Sequence, residues 1–82
     1  MNKDIKPINK DGQPHGLREW YNPNGKLWYK GYFINGNRNG LCEWYHDNEQ
    51  LGYKGSYING NQDGLWEYYF SNGKLYSKKY YI

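Results

Sequence analysis

Three side chains in this 82-residue chain are soft metal ligands: His15, Cys42 and His46. A zinc site needs several such ligands converging at close range. On an extended strand Cys42 and His46 share a face but stand four residues apart, ~13 Å at the strand rise. No metal site is expected. The carboxylates that could serve as general acids or bases are Glu19, Glu43 and Glu67, and each keeps company with Lys30, Lys54 or Lys78. Both sets recur every 24 residues, and a pair repeated in every unit reads as a structural ladder. There is no Ser-His-Asp set, no Cys-x-x-Cys and no phosphate loop. The Asn-Gly-Asn runs look like glycine-rich loops, but no helix follows them to hold phosphate at its N-terminus. The chain is expected to be no enzyme and to need no cofactor.

The chemistry that remains is aromatic. Four Trp, eleven Tyr and two Phe make up 21 % of the residues, while Val and Ala are absent. Tyr is at ease with one apolar side and a wet hydroxyl, which suits a thin sheet better than a thick core. Trp, Tyr and Arg are also the residues enriched at binding hot spots. A net charge of +3 permits an acidic partner without demanding one. The single Cys can form no internal disulfide and is compatible with a reducing, cytoplasmic setting. No apolar run approaches the ~20 residues of a membrane helix, and the polar N-terminus resembles no signal peptide. The wealth of Asn, Lys, Tyr and Ile matches AT-rich codons, hence an expected bacterial or phage source.

These rings are positioned by a repeat. A shift of 24 residues superposes Gly16, Gly40 and Gly64; Leu17, Leu41 and Leu65; and Ile34, Ile58 and Ile82. A fixed period of this size marks a repeat architecture. Two turn signals recur in each unit. One is Pro23-Asn24-Gly25, matched by Ser71-Asn72-Gly73 and less well by Asp47-Asn48-Glu49-Gln50. The other is Asn35–Gly40, matched by Asn59–Gly64. Asn-Gly tolerates the positive φ of tight hairpins. The segments between are short and rich in Tyr, Trp, Phe and Ile, so they read as strands. Six are predicted, roughly 17–22, 26–34, 41–46, 51–58, 65–70 and 74–81, with a short edge strand near Ile8 blunted by Pro7.

A four-residue loop at Asp47–Gln50 sets Trp44 opposite Tyr53, Glu43 opposite Lys54, Cys42 opposite Gly55 and His46 opposite Leu51. A six-residue loop at Asn59–Gly64 sets Ile58 opposite Leu65, Tyr57 opposite Trp66 and Tyr53 opposite Phe70. One face then gathers Trp20, Leu27, Tyr29, Phe33, Trp44, Leu51, Tyr53, Tyr57, Trp66, Tyr68, Phe70, Leu75 and Tyr81, with Gly31 and Gly55 lying bare among them. The other face pairs Glu19 with Lys30, Glu43 with Lys54 and Glu67 with Lys78, and also carries Ile34, Leu41, Ile58, Leu65, Tyr32 and Tyr80.

Tyr29-Lys30-Gly31-Tyr32-Phe33-Ile34-Asn35-Gly36 and Tyr53-Lys54-Gly55-Ser56-Tyr57-Ile58-Asn59-Gly60 resemble the Tyr-x-Gly-x-aromatic-x-x-Gly core of MORN repeats. Asn59 to Leu75 resembles the bacterial variant of that repeat. The likeness implies one all-β domain over residues 1–82, a single-layer twisted antiparallel meander. It would comprise a partial unit at 1–15, repeats at 16–39 and 40–63, and a truncated repeat at 64–82, where Ser77 and Lys79 replace the expected Tyr and Gly. It also implies protein binding, an antitoxin- or inhibitor-like role, and by analogy alone a membrane surface. Fold does not fix function.

The residues themselves point the same way, because a single layer cannot cover an aromatic face and a large apolar patch marks an interaction surface. The candidate contact residues are Arg18, Trp20, Trp28, Tyr29, Phe33, Trp44, His46, Tyr53, Tyr57, Trp66, Tyr68 and Phe70. A protein partner is expected. The last strand, ending at Ile82, offers an edge for homodimerisation. Single-stranded nucleic acid stacked on the rings is the alternative, weakened by an aromatic face whose expected cations are only Arg18 and Lys79.

Overall fold

The computed structural model describes residues 4–82. Six strands follow one another in a single antiparallel sheet with the order β1-β2-β3-β4-β5-β6. They are β1 (Gly16–Tyr21), β2 (Leu27–Ile34), β3 (Asn37–Tyr45), β4 (Leu51–Ile58), β5 (Asn61–Tyr69) and β6 (Leu75–Tyr81). The Cα positions extend 41 × 38 × 10 Å. That thickness is one layer, so among the described residues neither face is covered by a second sheet or a helix.

The all-β meander is as the sequence implies, but two of its turns are tighter. Asn35-Gly36 and Asn59-Gly60 alone turn the chain, with both residues of each at positive φ (46° and 91°, 50° and 86°). Paired positive φ is the two-residue hairpin turn whose twist matches the strands. β3 and β5 therefore begin at Asn37 and Asn61, four residues earlier than predicted. Ile58 faces Asn61, not Leu65; Tyr57 faces Gln62, not Trp66; and Tyr53 faces Tyr68, not Phe70. A bulge between Lys54 and Ser56 absorbs the extra length. The faces are the same in both registers, since the slip is four residues beside the turn and two beyond the bulge, and an even slip keeps every side chain on its side whereas a slip of one would invert them.

A second kind of bulge sits at the other end of each hairpin. Tyr21, Tyr45 and Tyr69 face Leu27, Leu51 and Leu75, leaving Trp28, Gly52 and Tyr76 as the extra residues. His46 consequently does not face Leu51. The three leucines move to the Glu/Lys face, where the Tyr21 and Tyr45 hydroxyls donate to Glu19 and Glu43 at 3.0 Å. The segment near Ile8 forms no strand. It makes isolated bridges, Ile5 with Glu19 and Ile8 with Pro14, and so runs along the outer edge of β1.

The charged row is longer than the three predicted pairs. Glu19, Lys30, Glu43, Lys54, Glu67 and Lys78 stand side by side, one per strand, in alternating sign. The closest contacts join hairpins, Lys30 to Glu43 at 4.0 Å and Lys54 to Glu67 at 3.9 Å. Beyond that row the same face exposes Tyr32, Ile34, Leu41, Ile58, Leu65 and Tyr80.

Candidate functional site: the aromatic face

The opposite face is built in rows across the strands. Trp20, Tyr29, Trp44, Tyr53 and Tyr68 stand opposite one another in turn. Directly opposed aromatic pairs stabilise a sheet by roughly 0.2–1 kcal/mol each. Ring centroids along this row are 4.6, 5.0, 4.5 and 5.5 Å apart. The bulged residues extend it at both ends. Trp28 lies 5.3 Å from Trp20, and Tyr76 lies 6.3 Å from Tyr68 and 4.6 Å from Phe70. The rings thus run unbroken from β1 to β6.

The next row holds the residues that differ between repeats. Arg18, Cys42 and Trp66 are equivalent by the 24-residue shift, and glycine lies beside each of the first two: Arg18 opposite Gly31, Cys42 opposite both Gly31 and Gly55. Trp66 covers the bare backbone of Gly55, where a Cβ would fall within its indole. Its Nε1 donates to the Ser56 carbonyl at 3.2 Å. Cys42 is fully buried. Tyr29 Oη donates to Cys42 Sγ at 3.5 Å, and burial followed by that bond pushes the Tyr29 phenol above its ordinary range. Burial likewise pushes the Cys42 thiol up.

Of the candidate contact residues, Tyr29, Phe33 and Trp66 are buried among their neighbours, so they shape the face instead of offering surface. Trp20, Trp44, Tyr53, Tyr57 and Tyr68 are half-buried with their rings side by side, and Trp28 and Phe70 are exposed. His46 belongs to the packing between hairpins: its Nε2 lies 2.9 Å from the Tyr69 carbonyl, as a donor. Asn35 N donates to His15 Nδ1 at 3.2 Å, at the other end of the sheet. Among the described residues no group of three or more His, Cys, Asp or Glu side chains gathers.

Arg38 is the residue that sequence reasoning missed, since the supposed six-residue loop hid it. It sits in β3 opposite Phe33, and its guanidinium lies 5.4 Å from the Tyr29 and Phe33 ring centroids, 5.9 Å from Trp44 and 5.7 Å from Tyr57. Its Nε donates to Tyr29 Oη at 3.2 Å. A cation over a ring is stabilised by about 0.5–2 kcal/mol, more as water is excluded. One clue was available: its equivalents in the neighbouring units are Pro14 and Gln62, so it too breaks the repeat. The aromatic face therefore carries Arg18, Arg38 and Lys79, with Arg18 5.5 Å from Phe33 and Lys79 5.8 Å from Tyr81.

Comparison with known families agrees with this architecture. The MORN repeat variant model matches residues 14–35, 38–59 and 62–82. The chain belongs to the MORN repeat variant family. The three matched MORN units keep the 24-residue spacing and begin just before β1, just inside β3 and just inside β5. No curated protein and no solved structure gave a match.

Proposed function

We propose that this MORN repeat chain is a non-enzymatic protein-binding module that takes its partner on the aromatic face. The observation that carries the reading is the ring row from Trp28 to Phe70 on a slab one layer thick. Rings already packed on one another give up little side-chain entropy when a partner lands on them, and such preorganisation favours affinity. The antitoxin- or inhibitor-like role is the finer form of the proposal: a rigid sheet laid over a partner's working surface blocks it without chemistry. A reducing cytoplasm is the compartment we assign to it, on the strength of the one free thiol.

The test is native mass spectrometry of the protein alone and after capture from a lysate of its source. Trp44→Ala, which removes the half-buried centre of the row, is run beside wild type. Expected is one stoichiometric protein whose affinity falls at least fivefold in the folded variant, a cost of about 1 kcal/mol or more. Equal retention by the folded variant would refute the face assignment. A stable dimer that retains nothing else would mean that the sheet is occupied by self-association.

A further inference from the structure

Arg18 and Arg38 come from different strands and from different matched units, 14–35 and 38–59, yet both guanidinium groups lie against the ring of Phe33, at 5.5 and 5.4 Å. Among the described residues neither is ion-paired. The carboxylates are elsewhere. Glu19, Glu43, Glu67 and Asp63 belong to the opposite face, Asp63 by its register with Ser56. Asp4 and Asp11 precede β1, and Asp47 and Glu49 lie in the turn after β3. Two neighbouring cations on an aromatic surface without an acid leave a local positive potential uncompensated.

Arg18 is also incompletely satisfied within the fold: its Nε is buried and has no hydrogen-bond partner. Leaving a buried donor of a charged group unsatisfied costs about 1–3 kcal/mol or more, and such a group in a folded protein calls for an explanation. Arg38 uses Nε on Tyr29, which leaves four of the five guanidinium donors on its two Nη atoms.

We infer that Arg18 and Arg38 together receive carboxylate side chains of an acidic polypeptide segment lying across the aromatic face. The inference rests on the protein-binding reading above and names the chemistry of the partner. Guanidinium and carboxylate match in a two-bond fork, and the half-buried rings beside the pair lower the local dielectric around it. Both arginines border one ring, Phe33, with Lys79 set apart on β6. A nucleic-acid strand would want cations that track its backbone; a cluster of side-chain carboxylates would not.

The test uses a fluorophore-labelled hexaglutamate peptide at low ionic strength, followed by anisotropy and by the arginine Nε–H resonances of the 15N-labelled protein. Saturable binding is expected, with the Arg18 and Arg38 resonances moving. Arg18→Gln and Arg38→Gln are each expected to weaken binding at least tenfold, and Lys30→Gln on the far face less than twofold. Arg38→Gln suits the fold, because Gln62 already fills the same place one repeat later. The inference is overturned by arginine resonances unmoved at millimolar peptide, by an equal loss in Lys30→Gln, or by tighter binding of a thymidine hexanucleotide than of hexaglutamate. Its failure is distinct from failure of the broader reading. A captured partner lost in Trp44→Ala but kept by both arginine variants would sink the carboxylate assignment alone. A partner kept by all three would sink both.

Discussion

Glu49 stands where its repeat equivalents are Gly25 and Gly73, and it adopts their conformation, with φ of 71° against 88° and 92°. Positive φ costs a residue with a Cβ roughly 1 kcal/mol. The turn imposes it, because Glu49 N and His46 N donate to the His46 and Gln50 carbonyls at 2.9 and 2.8 Å, as Gly73 N and Phe70 N do to Phe70 and Lys74. Glu49→Gly is therefore expected to stabilise the fold by about 0.5–1 kcal/mol, read as a higher urea midpoint with an unchanged slope. The tyrosines set a pH limit. Burial, then the bond to Glu43, pushes Tyr45 up to about 12, and Tyr29 is held above the ordinary range. In the unfolded chain these phenols ionise near 10. Their contribution is complete below that pH and falls as pH rises toward 12, because the unfolded state then binds fewer protons than the folded one. The buried Cys42 thiol acts in the same direction from about pH 9. Urea midpoints are expected to hold from pH 7 to about 8.5 and to drop steadily at higher pH, less steeply in Tyr45→Phe. The mismatch at Glu49 was legible in the sequence as a poor repeat of Asn-Gly. The tyrosine environment was not, because it depends on a bulge that no spacing announces.

At the scale of the strands, the Glu–Lys row ties hairpin to hairpin. Glu43 is central, opposite both Lys30 and Lys54 and accepting from Tyr45 Oη at 3.0 Å. Glu43→Gln keeps the shape and the acceptor but removes the charge. It is expected to cost roughly 0.5–1 kcal/mol at low salt, with most of that difference gone at 1 M salt, where screening acts over ~3 Å. Equal stability losses at both salt concentrations would assign the effect to packing instead. The partners within each hairpin were legible from loop length alone. The partners between hairpins were not, since they depend on how the two-residue turns at Asn35-Gly36 and Asn59-Gly60 combine with the bulges between Gly31 and Phe33 and between Lys54 and Ser56. The same misreading of those turns concealed Arg38.

Taken whole, the sheet has two unlike edges. On β1 the outer side is occupied: Ile5 N donates to the Glu19 carbonyl at 2.8 Å, Glu19 N to the Ile5 carbonyl at 2.9 Å, and Tyr21 N to Asp4 Oδ1 at 2.7 Å. On β6, among the described residues, the strand pairs only with β5. The charged row ends in Glu19 at the first edge and Lys78 at the other. A copy docking head to tail would continue the alternation, and such a contact propagates without closing. Deleting residues 1–9 uncovers Glu19. The shortened chain is expected to associate progressively with concentration by light scattering, while the full 82-residue chain shows no such head-to-tail growth. A shortened chain that stays monomeric over the same range would show that the N-terminal segment does not guard the edge.

The 24-residue period, the hairpin count and, apart from Leu27, Leu51 and Leu75 at the bulges, the division of side chains between two faces were all decided by the sequence. They follow from local rules: Asn-Gly turns where the chain needs positive φ, and strands alternate their side chains at a period of two. Tertiary structure decided which residues of the aromatic face are floor and which are surface. Tyr29, Phe33 and Trp66 sink because glycines and neighbouring rings admit them, and burial is a property of neighbours across strands. It also placed Arg38 over four rings and left Arg18 Nε without an acceptor. The placement of Arg38 depends on a bulge between Gly31 and Phe33, and a bulge shifts register by one or two residues at little local cost and so leaves no periodic mark in the chain.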